Sequence, residues 1–327
     1  MIELRGLSKT YKVHKSLPGF KGAVKNFFAR EYNEIEALKN VSFRIENGRI
    51  TGLLGANGAG KTSLLKILSG LIYPTGGEVT VEGFTPYERK KEFKKNITFV
   101  MGQKGQLMWD LAAMQSYIMN KHIYEIDDAR FQRHLNSLIE IFQARDLVNI
   151  QVRKLSFGQR MRVEIIGALL HNPKIVFLDE PTIGLDFASQ NTIRKFVIEY
   201  NKQYGTTFII TSHNLNDIEN VCNDIMIMKQ GELIVSDSLT NVIQRYSEEK
   251  IVEITFSDSV DSGILNQFGQ VAIEKNKAEA RVEKTKIKEL IGYCYENENV
   301  LDVNIRDIPL EVVIEGLMTH GESLSYE

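Results

Sequence analysis

The run Gly55-Ala-Asn-Gly-Ala-Gly-Lys-Thr62 has the residue types and spacing needed to hold a polyphosphate. Gly55, Gly58 and Gly60 let successive backbone N–H groups curl around phosphate oxygens with no side chain in the way. Asn57, Ala59 and Ser63 contribute neighbouring amides, and the helix expected to start here adds the positive end of its dipole. Lys61 can reach the β- and γ-phosphates as a point charge, and the Thr62 hydroxyl can ligate Mg²⁺. Such a loop must be held between a strand and a helix. The apolar run Ile50–Leu54 leads in, and the helical pattern Ser63–Leu68, ended by Gly70, leads out, completing the strand, G-x-x-x-x-G-K-[ST], helix arrangement. A ligand-free glycine turn would not require that context. The chain is expected to bind a nucleoside triphosphate.

A second constellation is Ile175-Val-Phe-Leu-Asp179-Glu180. An apolar strand would deliver Asp179 to its C-terminal end, where it can meet Mg²⁺, and Glu180 can polarise an attacking water. Alone, this reads equally well as a strand ending in a surface acidic pair. Behind a phosphate loop it reads as catalytic.

The elements that must position these residues follow from the pattern. Short apolar runs at Ile2–Leu4, Val41–Ile45, Thr51–Leu54 and Glu78–Val81 make the first part strand-rich. From about Leu111 to Leu170 the pattern is helical. Continuous apolar runs then return at Ile175–Leu178, Thr207–Thr211 and Ile225–Met228, as expected for strands buried on both faces of a parallel sheet. Between them, Asp186–Tyr204 places Ile193, Phe196, Val197, Tyr200 and Tyr204 on one helical face and stops at Gly205. After about Ser247 the texture changes. Ile251–Phe256 alternates as a strand, Val271–Glu274 and Ala280–Glu283 flank a loop Lys275–Glu279, Lys286–Tyr295 suits a helix, and Val300–Ile305 a strand. Residues 248–327 are therefore expected to form a small α+β accessory domain.

Composition sets outer limits. The 327 residues are 43% hydrophobic and 25% charged, with net charge −2, so a general nucleic-acid-binding role has no electrostatic support. No long apolar run suits a membrane span, and no secretory leader is evident. The two cysteines, Cys222 and Cys294, are far apart, and the histidines have no metal-ligand spacing. A cytoplasmic location is expected.

Leu155-Ser-Phe-Gly-Gln159, opening a helix that runs to Leu170, supplies the third motif. Together with the phosphate loop and Asp179-Glu180 it resembles the signature set of the ATP-binding cassette (ABC) ATPases. The resemblance covers residues 1 to about 240 and includes Gln103 after Ile97–Met101, Gly184-Leu-Asp186, and His213 after Thr207–Thr211. It implies an α/β P-loop NTPase cassette, with a parallel-sheet core, an antiparallel β subdomain and a helical subdomain at about 104–165, over residues 1–247. It further implies ATP and Mg²⁺ as ligands and ATP hydrolysis as the activity. Thr62, Gln103 and Asp179 would surround Mg²⁺; Lys61, Gln103, Glu180 and His213 would carry the chemistry. Ser156, Gly158 and Gln159 would cap the γ-phosphate held by a second cassette chain in a head-to-tail pair, with Asp186 at the contact. The expected pairing is of two copies, with a sibling chain as the alternative. Tyr11 matches the adenine-stacking aromatic, with Tyr32 as its rival.

Residues of about 13–35 form an insertion. Arg5, Lys9, Lys12, Lys15, Lys21, Lys25 and Arg30, with Phe20, Val24, Phe27 and Phe28, would suit a membrane surface or a partner helix. An ordinary solvated edge is the bland alternative. This insertion, with Gly102-Gln-Lys-Gly-Gln-Leu-Met-Trp109-Asp, Leu155–Arg162 and Glu180-Pro-Thr-Ile-Gly-Leu-Asp186, resembles bacterial ATPase subunits of the ABC-2 exporter type. That implies separate membrane permease chains and a peripheral position on the cytoplasmic face of the membrane. Met108, Trp109 and Met114 are candidates to receive the permease, or else core residues. A soluble cassette acting on ribosomes or nucleic acid is the rival function. An unrelated kinase or GTPase would leave the Leu155–Gln159 motif unexplained.

Overall fold

The computed structural model describes residues 1–14, 32–102, 105–212, 214–246, 249–257, 262–297 and 299–320. They divide into two units, Met1–Ser236 and Asp237–Glu327. The division falls at Ser236 rather than at 247, because the helix Leu239–Tyr246 packs with Leu310–His320 and accepts the Lys284 ammonium on the Gln244 carbonyl, both in the second unit.

In the first unit, β1 (Ile2–His14) and β2 (Tyr32–Ile45) form one antiparallel ladder from Ile2↔Ile45 to His14↔Tyr32. This is far longer than the apolar runs suggested. Its outer half, Lys9–Val13 opposite Asn33–Leu38, is largely polar and is held by backbone pairing and the Lys12–Glu34 ion pair (3.4 Å), so it leaves no alternating apolar signal. The expected insertion thus begins and ends inside these strands, and its residues 15–31, with the proposed amphipathic segment, lie outside the described residues.

β3 (Ile50–Gly55) leads into α1 (Lys61–Leu68), which starts at Gly60 in the left-handed region (φ 103°) and buries Leu64, Leu65, Ile67 and Leu68. β4 (Gly76–Val81) pairs with β1, giving a three-stranded sheet β2-β1-β4. α2 (Lys91–Asn96) and β5 (Ile97–Met101) follow. The helical segment comprises α3 (Ala113–Ile123), α4 (Asp128–Ile141) and α5 (Phe157–Leu169). The β/α alternation then resumes with β6 (Ile175–Asp179), α6 (Phe187–Tyr204), β7 (Thr207–Thr211), α7 (Leu215–Val221), β8 (Asp224–Lys229) and β9 (Glu232–Ser238).

The six-stranded sheet has the order β5-β6-β7-β3-β8-β9, with parallel pairing from β5 through β8. β-branched and aromatic runs buried on both faces, such as Ile175, Val176 and Phe177 at 0% exposure, make it the core. This order is what builds the site. It sets the C-terminal ends of β3, β6 and β7 side by side, where ligands of open α/β sheets bind.

The second unit begins with α8 (Leu239–Tyr246) and then runs β10 (Glu249–Phe256), α9 (Ser262–Leu265), β11 (Gly269–Glu274), β12 (Lys277–Glu283), α10 (Ile287–Glu296), β13 (Val300–Asp307) and α11 (Leu310–His320). Its antiparallel sheet, β11-β12-β10-β13, has βαββαβ order. The β11–β12 connection is a two-residue turn, Lys275-Asn276, and not the longer loop expected. Lys275 takes a left-handed conformation (φ 57°) and Asn276 Nδ2 donates to the Phe256 carbonyl (3.0 Å), which lets the ladder start at Glu274↔Lys277.

Candidate nucleotide site

β3 ends at Gly55, and the chain then wraps around Lys61. Lys61, only 6% exposed, donates from its ammonium to the carbonyls of Gly55 (2.6 Å) and Ala56 (3.1 Å). Burial lowers its pKa, opposed by the charges of Glu180 and Asp179. A side-chain carbon on Gly58 would meet no atom within 4 Å, so the loop is open to solvent at that residue. Gly60 is constrained differently: a Cβ there would lie 2.4 Å from the Ala37 carbonyl oxygen. Asn57 is exposed and Ala59 buried.

β6 carries Asp179 to the same edge. Its carboxylate accepts from Thr62 Oγ1 (3.1 Å) and Thr211 Oγ1 (2.7 Å). Thr211, at the end of β7, was missed by the sequence reading. Its hydroxyl also accepts from the Glu180 amide (2.9 Å). Glu180 itself has φ 54°, a strained left-handed backbone for a non-glycine residue, which turns the chain sharply off the strand. Gly102, after β5, donates to the Asp179 carbonyl (2.9 Å), and a Cβ there would sit 2.3 Å from the Glu180 carbonyl oxygen. Gln103 and His213 lie outside the described residues.

Tyr11 stands beside this loop: its hydroxyl donates to Ser63 Oγ (3.2 Å), and Lys9 lies over its ring at 5.1 Å. Tyr32 is three ladder positions farther out, opposite His14, and half exposed.

The Leu155–Gln159 motif forms a second cluster. Ser156 caps α5 reciprocally with Gln159: Ser156 Oγ accepts from the Gln159 amide (3.3 Å), and Gln159 Oε1 accepts from the Ser156 amide (2.9 Å). The Gln159 carbonyl oxygen is thereby committed to the helix. Asp186 caps α6, accepting from the amide (2.9 Å) and hydroxyl (2.8 Å) of Ser189, which hold its carboxyl below the usual range, the amide most. Gly158 is buried against the same serine; a Cβ there would be 2.4 Å from Ser189 Oγ. Among the described residues no hydrogen bond joins this cluster to residues 55–62.

Glu164, one turn further along α5, is 6% exposed and accepts from the amides of Gln106 (2.8 Å) and Leu107 (3.2 Å). It anchors the segment that leaves Gln103. Burial raises its pKa and the two amides oppose the rise. Beyond it, Met108 and Trp109 are exposed at 41% and 51%, and Met114 is partly covered. The Arg160 guanidinium stacks over the rings of both Trp109 (5.2 Å) and Phe157 (5.0 Å).

The sequence model of a family described as ABC transporter matches residues 38–183. The ABC transporter ATP-binding protein NatA of Bacillus subtilis (strain 168) is 31% identical over 226 residues, 69% of this chain and 92% of NatA. The chain belongs to the ABC transporter family. Linearmycin resistance ATP-binding protein LnrL of the same organism is 30% identical, covering 70% of this chain and 73% of LnrL. Methionine import ATP-binding protein MetN 2 of Enterococcus faecalis is 27% identical, covering 69% and 66%. A solved dimeric ATP-binding cassette in a post-hydrolysis state, bound to ADP and Pi, superimposes with a TM-score of 0.61 at 27% identity, covering 73% of this chain and 99% of that one. The ATP-binding subunit of an ABC transporter, at 21% identity and TM-score 0.62, shows the same fold over 75% of this chain and 92% of its own. This cassette is an ATPase subunit of a membrane transporter. No helix among its described residues is long and apolar enough to cross a membrane.

Proposed function

We propose that two copies of this cassette pair head to tail, bind two ATP molecules between them, and drive a membrane exporter by closing on ATP and opening after hydrolysis. The observation that supports this most is the split of the site. Lys61, Thr62, Asp179 and Glu180 form one cluster, whereas Ser156, Gly158 and Asp186 form another that, among the described residues, shares no hydrogen bond with residues 55–62. An anion-ready helix N-terminus that its own phosphate loop does not use suits the phosphate of a partner chain. The solved dimeric relative, bound to ADP and Pi, has the same fold.

In the closed pair the backbone amides of residues 58–63 hold the phosphates, with Gly58 at an open face of the loop. Lys61 leaves the Gly55 and Ala56 carbonyls for the β- and γ-oxygens, its lowered pKa recovering as it gains anionic partners. Glu180 orients the attacking water and accepts its proton, and His213 contacts the γ-phosphate. Tyr11 stacks on adenine, supported by its place beside α1. The residues fit Mg²⁺: Thr62 and Asp179 offer hard oxygens, and no group of three His, Cys, Asp or Glu among the described residues competes as an all-protein cage. Thr62, Asp179 and Gln103 would hold the ion, which when bound neutralises phosphate charge. Closure excludes water and completes both sites together.

Trp109 and Met108 form the exposed face to which separate permease chains bind, placing the cassette peripherally on the cytoplasmic membrane surface. The named relatives include methionine importers as well as LnrL, so export rests on the ABC-2-like phrases around Trp109, Arg160 and Glu180. Affinity-tagged chain should copurify a hydrophobic multispanning protein from membranes, and Trp109→Ala should lose it. Recovery of ribosomes or nucleic acid instead would overturn the transporter-motor assignment. Glu180→Gln should bind ATP normally and turn it over at least about a hundredfold more slowly; turnover at the parent rate would sink the assignment of Glu180.

A further inference from the structure

One buried carboxylate joins three segments that border Glu180. Asp217, on α7, is 4% exposed and accepts from the hydroxyls of Thr182 and Ser212 (2.8 Å) and from Arg194 Nε (2.6 Å). Thr182 follows Glu180, Ser212 precedes His213, and Arg194 belongs to α6, whose N-cap is Asp186. Arg194, its side chain 12% exposed, extends the network by donating to Asn191 Oδ1 (2.9 Å) and Gln190 Oε1 (3.3 Å). On the other side, Ser212 Oγ accepts from the Asn214 amide (3.0 Å), and the Asn214 carbonyl accepts from the Asp217 amide (3.0 Å).

A cavity of about 230 Å³ opens at Glu180 and is lined by Thr182, Ile183, Gly184, Gln190, Ser212 and Asn214. Asp217 holds Thr182 and Ser212 directly and holds Gln190 through Arg194. The pair therefore fixes three walls of the space beside Glu180 without facing it. Fold maintenance alone would be served as well by apolar packing, since a buried ion pair is seldom worth more than a hydrophobic replacement. What the ion pair gives instead is fixed direction: three donors converge on one acceptor, so the three segments move together or not at all.

We propose that Asp217, with Arg194, is a positioning residue for ATP hydrolysis. It holds the Glu180 strand exit, the Ser212 end of β7 and the Asp186 helix at one spacing, so that water activation and the partner contact are set together. This rests on the assignment of Glu180 given above. Among the described residues the polar partners of the Asp217 carboxylate are Thr182, Ser212 and Arg194, none of them in the phosphate loop, so its loss should leave nucleotide binding intact.

The test is steady-state ATP hydrolysis by the full chain carrying Asp217→Asn, with equilibrium ATP binding and thermal melting measured alongside. The expected result is a kcat lower by at least about tenfold with KM for ATP within about threefold of the parent. An unchanged kcat, or a raised KM with kcat preserved, would overturn the proposal. If Asp217→Asn fails to fold, Thr182→Val removes one donor without stranding a charge; a lowered kcat at unchanged KM supports the proposal and a parent-like kcat refutes it. Glu180→Gln assayed in parallel separates the two claims. If it abolishes turnover while the Asp217 and Thr182 variants do not, only the present inference fails; if it leaves turnover intact, the Glu180 assignment fails first.

Discussion

Replacing Glu164 should show whether the segment leaving Gln103 is carried by the signature helix. Its partners are the backbone amides of Gln106 and Leu107, which no second mutation can remove. In Glu164→Leu the Leu107 amide, on a residue 9% exposed, loses its acceptor away from water. A buried donor left unmade costs about 1–3 kcal/mol, and the Gln106 amide, which can turn to solvent, adds about 1 kcal/mol. The sum, roughly 3 kcal/mol, corresponds to a fall in melting temperature of about 6–12 °C for a unit of this size. Glu164→Gln keeps one acceptor oxygen and should lose only about 1 kcal/mol. The sign with pH is fixed as well. Burial raises the folded carboxyl's pKa, so its contribution to stability is present below the unfolded glutamate value and is lost as pH rises through the folded value. The parent's advantage over the non-titrating glutamine variant should therefore shrink with rising pH. Urea unfolding of parent and both variants at several pH values provides the measurement. A leucine variant as stable as the parent would refute the reasoning, as would a gap to Glu164→Gln that widens as pH increases.

Other substitutions probe separate parts of the account. Gly60→Ala forces a methyl to 2.4 Å from a main-chain carbonyl and should abolish ATP binding in a fluorescence titration; near-parent affinity would show that the loop can yield. Tyr11→Ala should weaken ATP binding several-fold, as loss of one stacking ring at about 1 kcal/mol requires, and Tyr32→Ala should not; the reverse ranking would move the adenine contact to the far end of the hairpin. His171 is buried, stacks on Tyr124 at 4.0 Å, and has a pKa lowered to about 4 by burial. Its contribution is full above the unfolded histidine value and is lost as pH falls toward 4, so the parent should lose stability relative to His171→Gln on acidification. A gap that stays constant between pH 7 and pH 4 would exclude it.

The parts of the site that are written locally were legible in the chain. The phosphate loop, the strand into it and the helix out of it are contiguous, and so are Ile175–Glu180 and the Asp186 helix, whose buried face is the one the periodicity predicted, apart from a partly exposed Tyr204. What escaped depends on register or on distant partners. The outer half of the β1–β2 ladder carries charges on both strands, so no apolar period marks it. Thr211 and Gly102 acquire meaning only when β7 and β5 flank β6, and nothing in a single serine, threonine, arginine or aspartate announces that Thr182, Arg194, Ser212 and Asp217 meet. The two-residue turn at Lys275-Asn276 was hidden because neither residue is glycine. Helix α11 has apolar residues enough for a helix, yet lies beyond Val300–Ile305, the last run that the sequence pattern assigns.

The pairing of two cassettes is tested most directly by ATP turnover per chain as a function of chain concentration, with ATP saturating throughout. The account predicts a specific rate near zero at high dilution that climbs to a plateau as chains associate. A specific rate that stays level down to the lowest concentration would contradict it, because a lone chain would then complete its own site.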